Sequence, residues 1–146
     1  MESPGPEHYR KLERMYAGAP INTFFRPVLT VAEGTAELVM PVREEFFHAA
    51  HAMHGAVYFK ALDDSAFFAA NSLITDVFVL TVSYTVHLTR PVTGGTVRAR
   101  ARVVHRSRSL LLADAELFDQ EGRQVARGTG SFMPSRTPLS EEIGYR

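Results

Sequence analysis

The chain has 146 residues, 16 Lys+Arg against 16 Asp+Glu, a formal net charge of zero and no cysteine. This length fits one folding unit with a real core. The charge balance excludes a nucleic-acid binder with a broad basic footprint, and the absent cysteines exclude disulfides and thiolate chemistry.

No apolar run approaches the ~20 residues a membrane helix needs. The start, MESPGPEHYRKLERMY, lacks the apolar stretch of a signal peptide. A cytoplasmic location without membrane partners is the expectation. Residues 1–6 are rich in Pro and Gly. Glu7–Met15 then reads as a short helix stopped by Gly18 and Pro20. Phe24–Val31 and Thr35–Val42 read as strands around a turn at Glu33-Gly34, with Pro27 pushing the first toward a sheet edge or a bulge. Residues 43–54 read as a loop. Gly55 to Ser72 holds no Pro and is rich in Ala, Leu and Phe, which predicts the one long helix.

Beyond it the composition turns β-branched. Val77–Thr89 predicts a strand ending at Arg90-Pro91, and Thr93-Gly94-Gly95 a turn. Thr96–His105 alternates Arg98, Arg100 and Arg102 with Val and Ala, the period of a half-buried strand whose outer face is charged. Leu110–Phe118 and Gln124–Met133 follow, joined by a turn at Asp119–Gly122. The predicted division is an N-terminal extension over 1–19, a core over 20–133 and a peripheral polar tail over 134–146. A helix apolar nearly all round must be covered on most sides. The predicted class is therefore α+β, an antiparallel sheet of about six strands wrapped around one long helix.

Two adjacent aspartates interrupt that helix. Asp64 has Lys60 one turn before it, which predicts an ion pair on a solvated edge. Asp63 has Phe59 before it, Ala66 and Phe67 after it, and no cation on its own face. It is either a carboxylate satisfied by a Ser, Thr or backbone donor or a desolvated group of raised pKa that serves as a general base. His48, His51 and His54 form H-x2-H-x2-H without the distant carboxylate or thiolate that a zinc site wants, so no metal is predicted. His54-Gly55 falls where the helix begins. There, unpaired N–H groups carry the positive end of the helix dipole, and a glycine lets a ligand oxygen approach the backbone.

With these residues in place, the chain resembles the hot-dog-fold thioesterase superfamily, of the phenylacetate-pathway type that cleaves acyl-CoA thioesters. The resemblance spans roughly residues 20–133. It rests on His54-Gly55-Ala56 opening the helix and Asp63 nine residues after the His. It rests further on Arg90-Pro91 with Gly94-Gly95, and on Asp119, Gly122, Ala126 and Gly128 in D-x-x-G-x-x-x-A-x-G spacing. One departure is His48, where the family usually has Asn.

The resemblance implies a homodimer, often paired again into a dimer of dimers. Its active site lies between copies, where the His54-Gly55 helix tip of one faces Asp63 of the other. It implies that the Gly55 N–H polarises the thioester carbonyl, that His54 and His48 shape that end of the site beside Ala56, and that Asp63 acts as general base or nucleophile. Thr81, at a strand position where the family often has Ser or Thr, would orient the water; the alternative is a core hydroxyl packed in the sheet. Arg90, Arg106 and Arg108 are candidates for the phosphates of coenzyme A through their fork of donors, or else solvated turn charges. Among the aromatics of the loop and helix, Phe47 and Phe67 are candidates to line an acyl pocket. No cofactor is implied. Two other readings remain open: a hot-dog hydratase or dehydratase, and a non-catalytic acyl-CoA binder.

Overall fold

A computed structural model describes residues 4–146. It contains helix α1 (Pro6–Ala17), a one-turn helix α2 (Asn22–Phe25), strands β1 (Val28–Ala32) and β2 (Thr35–Pro41), helix α3 (Gly55–Asn71), and strands β3 (Val77–Leu88), β4 (Thr96–Arg106), β5 (Leu111–Phe118) and β6 (Gln124–Pro138). The six strands form one antiparallel sheet in the order β1-β2-β4-β5-β6-β3. The sheet wraps α3, which packs against all six strands. This is the hot-dog arrangement. Leu38, Met40, Val97, Ala99, Leu111, Ala113, Leu117 and Phe132 project from the sheet and are fully buried with Ala61, Leu62 and Ala66 of the helix.

The small residues on the inner face have a packing role. On β6, a Cβ at Gly128 would lie 2.4 Å from the Thr85 carbonyl and 2.5 Å from the Tyr84 ring. One at Gly130 would lie 2.7 Å from the rings of Tyr84 and Phe132. The Tyr84 ring therefore reaches across two glycines. Outside, the arginines of β4 alternate as expected, exposed while Val97, Ala99 and Ala101 are buried. Glu37 pairs with Arg98, and the register sets Arg100 beside Glu116 and Arg102 beside Asp114. A concavity of about 380 Å3 on this outer face is lined by Glu37, Arg100, Arg102, Asp114 and Glu116 among others.

Three elements differ from the sequence expectation. Phe24 and Phe25 are helical, because Arg26 adopts a left-handed conformation (φ 56°, ψ 45°) and starts the strand only at Val28. Pro27 thus lies just outside β1, which is indeed a sheet edge. The segment beyond Pro134 is not peripheral: β6 continues to Pro138 along β3, and Leu139, Ile143 and Tyr145 pack on the core. The loop from 43 to 54 has structure of its own, with a 3-10 turn over Glu44–Phe46 and a bridge between Phe47 and Met53.

Among the described residues, no helix is long and apolar enough to cross a membrane, and no cluster of three or more His, Asp or Glu side chains is set to hold a metal ion.

Candidate active site

The N-terminus of α3 is built by its own cap. His54 has extended backbone (φ −63°, ψ 144°), and its Nδ1 accepts the Ala56 N–H at 2.9 Å. A backbone N–H only donates, so the neutral His54 ring carries its proton on Nε2. His48 is fixed the same way, its Nδ1 accepting the Ala50 N–H at 3.1 Å. Both rings thereby keep an Nε2–H donor with no acceptor among the described residues. The loop closes on itself through His48 N–H to Ala52 O and His51 N–H to His48 O, with His51 at φ 64°. Met53 N–H to Val92 O ties it to the segment after Pro91.

Gly55 is the first helical residue, and its N–H has no acceptor among the described residues. It borders a cleft of about 410 Å3 walled by His48, Ala52, Met53, Gly55, Tyr58, Leu88 and Arg90. Tyr58 donates to the Arg90 carbonyl at 2.8 Å and so fixes the strand end that forms the rim. A Cβ on Gly55 would meet Leu88 Cδ1 at 3.2 Å. The glycine thus serves a close approach, and the cleft offers an electropositive helix end with an open donor.

Asp63 lies elsewhere. Eight residues along α3 from Gly55, it is displaced by about 12 Å at the usual helical rise, and it is not part of the cleft wall. It is half-buried and accepts the Thr81 hydroxyl at Oδ1, 2.9 Å away. Burial pushes its carboxyl up to about 6; the Thr81 hydrogen bond opposes this, the Asp64 charge adds to it, and Lys60 opposes it weakly.

A β-bulge in β3 brings Thr81 to this face. The register against β6 shifts between Thr81 and Ser83. The bulge puts Thr81 and Tyr84, three apart, on the inner face together, where strict alternation would turn Ser83 inward instead. Tyr84 meets Phe59 edge to face at 5.6 Å. Its hydroxyl is buried without a partner among the described residues, and burial first, then the Asp63 and Asp114 charges, hold it above the usual phenol range.

Asp64 pairs with Lys60 at 2.7 Å, as its spacing predicts, but not on a solvated edge. Both are largely covered, and Tyr16 of α1 donates to the same Asp64 oxygen at 2.5 Å. Nothing in the local sequence marks Tyr16, which reaches this point from 48 residues away.

The remaining candidates are dispersed. Phe67 packs against Phe68, Phe78 and Phe132 beside Asp63. Phe47 flanks the His48 loop, half-buried. Ala56 is exposed at the helix start and Arg90 at the cleft rim. Arg106 donates to Leu73 O, past the far end of α3, and Arg108 is exposed in the following turn. One chain thus brings His48, Gly55 and Arg90 together, and separately Asp63 and Thr81, but leaves Arg106 and Arg108 remote from both groups. Asp119, Gly122 and Gly128 serve the β5–β6 hairpin: Asp119 Oδ1 accepts the N–H groups of Glu121 and Arg123, and Gly122 takes φ 81°.

Comparisons with known proteins agree with this architecture. The chain superposes on the E. coli PaaI protein from the phenylacetic acid degradation operon with a TM-score of 0.85, at 21% identity, covering 94% of this chain and 100% of that one. A thioesterase family protein from Silicibacter pomeroyi gives 0.81 at 27% identity, over 86% and 96% of the two chains. A candidate esterase from Saccharolobus solfataricus is 23% identical over 112 residues, 77% of this chain and 80% of that one. The family model of the thioesterase superfamily matches residues 50–126, more than half of the chain and the whole of α3 through β5. The chain belongs to the thioesterase superfamily, whose common chemistry is the hydrolysis of thioesters.

Proposed function

We propose that the protein is an acyl-CoA thioesterase acting as a homodimer, with each active site formed by the Gly55 helix tip of one copy and Asp63 of the other. The observation that carries this reading is the separation of the two groups. A carboxyl of raised pKa and an open helix N–H are the two parts needed to hydrolyse a thioester, and within one chain they lie about 12 Å apart along a rigid helix.

Strand β3 supports the assembly. It is the sheet edge beside Asp63. It presents exposed Leu80, Val82 and Leu88, with Phe59 and Met133 alongside. A long apolar edge of this kind is normally covered. Pairing two such edges would lay the two α3 helices side by side and bring Asp63 of one toward Gly55 of the other. The charged outer face is available for a further pairing into a dimer of dimers.

In this reading the thioester carbonyl oxygen takes the Gly55 N–H, with the Nε2–H of His48 or His54 as a second donor. Thr81 holds Oδ1 of Asp63 and leaves Oδ2 to accept a proton from water. The water oxygen bonds to the carbonyl carbon and the oxyanion forms against the helix tip. The carbon–sulfur bond then breaks, the proton on Asp63 passes to the leaving sulfur, and thiol and free acid are released. Direct attack by Asp63 would instead give a mixed anhydride that water opens; 18O found in Asp63 after single-turnover hydrolysis in 18O-water would establish this second route. In this reading Arg90, at the cleft rim, takes a phosphate of coenzyme A, and Arg106 and Arg108 enter only if supplied by the partner copy. The apolar face of Phe59 and Phe67 suits an apolar acyl group.

Thiol release from a panel of acyl-CoAs tests the reading. Turnover by the wild-type protein and a loss of at least ~10²-fold in Asp63→Asn are expected, the low end for a general base. Thiol release that survived Asp63→Asn would move the chemistry elsewhere, and binding without release would favour a carrier.

A further inference from the structure

Lys60 stands three residues before Asp63 and four before Asp64, so both carboxylates are within its reach on the helix surface, contrary to the expectation that Asp63 has no cation on its face. A cation on Asp63 would hold it ionised and draw its charge away from a reacting water. The structure shows where Lys60 goes instead. Its Nζ lies 2.7 Å from Asp64 Oδ2, 5.4 Å from the centre of the Tyr16 ring and 5.0 Å from that of Phe25. The Tyr16 hydroxyl donates to the same carboxylate oxygen at 2.5 Å. Lys60 and Asp64 retain only 11% and 19% side-chain exposure, so solvent screening of the pair is weak. Asp63 takes its hydrogen bond from the neutral Thr81 alone among the described residues.

We infer that Asp64, Tyr16 and Phe25 form a cage that sequesters Lys60, and that Asp64 is thereby a positioning residue that keeps the neighbouring Asp63 free of a cation. The second aspartate of the Asp63-Asp64 pair then has a definite task. It gives Lys60 a better partner than Asp63, and the two rings add cation–π attraction in a desolvated setting. The inference rests on the reading of Asp63 as the base. The charged and titratable groups facing Asp63 are Lys60 and Asp64 of α3, Tyr16 of α1 and Tyr84 of β3.

The test is the titration midpoint of the Asp63 side-chain carboxyl, followed by carbon NMR in the intact protein. It is measured in wild type, Lys60→Met, Asp64→Asn and the double variant, with folding checked by amide spectra. Lys60→Met alone should move the midpoint little, because the caged ammonium contributes little at Asp63. Asp64→Asn should lower it by about one pH unit or more, since it removes a like charge and frees the cation. The double variant should recover a clear part of that fall, and the difference is the coupling of interest.

Two results overturn the inference. One is a large rise in Lys60→Met, which would place Lys60 on Asp63 already and can be read even if Asp64→Asn does not fold. The other is a double variant no different from Asp64→Asn, which would reduce the effect to loss of a charge. The titration needs no turnover. A protein that titrates as expected but hydrolyses no thioester would defeat the functional reading and leave the cage standing. Hydrolysis with an unmoved midpoint would do the reverse.

Discussion

Thr81 donates its hydroxyl to Asp63 at 2.9 Å, and that bond joins the central helix to the edge strand of the sheet. It leaves one carboxylate oxygen bound to a neutral donor and the other free of any bond to a described residue. The Thr81 bond favours the charged form of Asp63 while burial disfavours it. Thr81→Val should therefore raise the Asp63 pKa further and move the acid limb of the pH–rate profile to higher pH. Its turnover on the alkaline plateau should fall less than that of Asp63→Asn. An acid limb that stays in place would show that Thr81 does not govern this carboxyl.

Asp63 also predicts an unusual dependence of stability on pH. Its folded value, about 6, lies above the ordinary 3.8. Between those values the folded state binds more protons than the unfolded one, so this group's contribution is complete below about pH 4 and is lost as pH rises through 6. Asn at this position keeps an acceptor for Thr81 and carries no charge. Asp63→Asn should thus stabilise the fold by about 1–2 kcal/mol at pH 8, after allowance for partial solvent screening, and by much less at pH 4.5. Urea unfolding at the two pH values checks this; equal effects at both would mean the carboxyl is not desolvated.

Gly55 permits a separation of sterics from hydrogen bonding. Proline is well tolerated at the first helical position, and His54 already has the extended backbone that proline requires of its predecessor. Gly55→Pro and Gly55→Ala both add a Cβ that Leu88 must accommodate, but only Gly55→Pro removes the open N–H. We expect Gly55→Pro to lose about 10²–10³-fold in kcat, the scale of one oxyanion donor, and Gly55→Ala to lose under about tenfold. Equal losses in the two variants would point to space, not to the donor.

On β6, Gly128→Ala would force a methyl against the backbone carbonyl of Thr85 as well as the Tyr84 ring. Backbone cannot step aside, so a cost of at least about 2–3 kcal/mol is expected by thermal unfolding. Tyr84→Phe should cost nothing or stabilise by up to about 1 kcal/mol, because it removes a buried hydroxyl that has no partner among the described residues. A destabilised Tyr84→Phe would reveal an acceptor supplied by a second copy.

The fold was legible where pattern and punctuation agree. The Pro-free apolar run became α3, starting at Gly55 as read, and the alternating arginines became the outer face of β4. Phe24 and Phe25 misled because their β-forming side chains belong to a helical turn closed by the left-handed Arg26, which no local pattern announces. The polar tail gave no sign that β6 runs on to pair with Val77 through Pro138.

At the site, Asp63 and the His54-Gly55 cap could be picked out by spacing. The bulge that sets Thr81 and Tyr84 on one face could not, since it shows only in register. Nor could Tyr16, whose partner Asp64 is distant in sequence and adjacent only after α1 docks. Arg106 is a candidate for the phosphates of coenzyme A only through the resemblance, and in the fold its Nη2 donates to Leu73 O.

Complementation between inactive variants addresses the shared site directly. Asp63→Asn and Gly55→Pro chains, each inactive alone, are unfolded together and refolded as an equal mixture. A mixed dimer would hold one intact site, Gly55 from the first chain and Asp63 from the second. Random pairing predicts recovery of about a quarter of wild-type activity. No recovery from a mixture proven to contain mixed dimers would place the chemistry within a single copy and contradict the account.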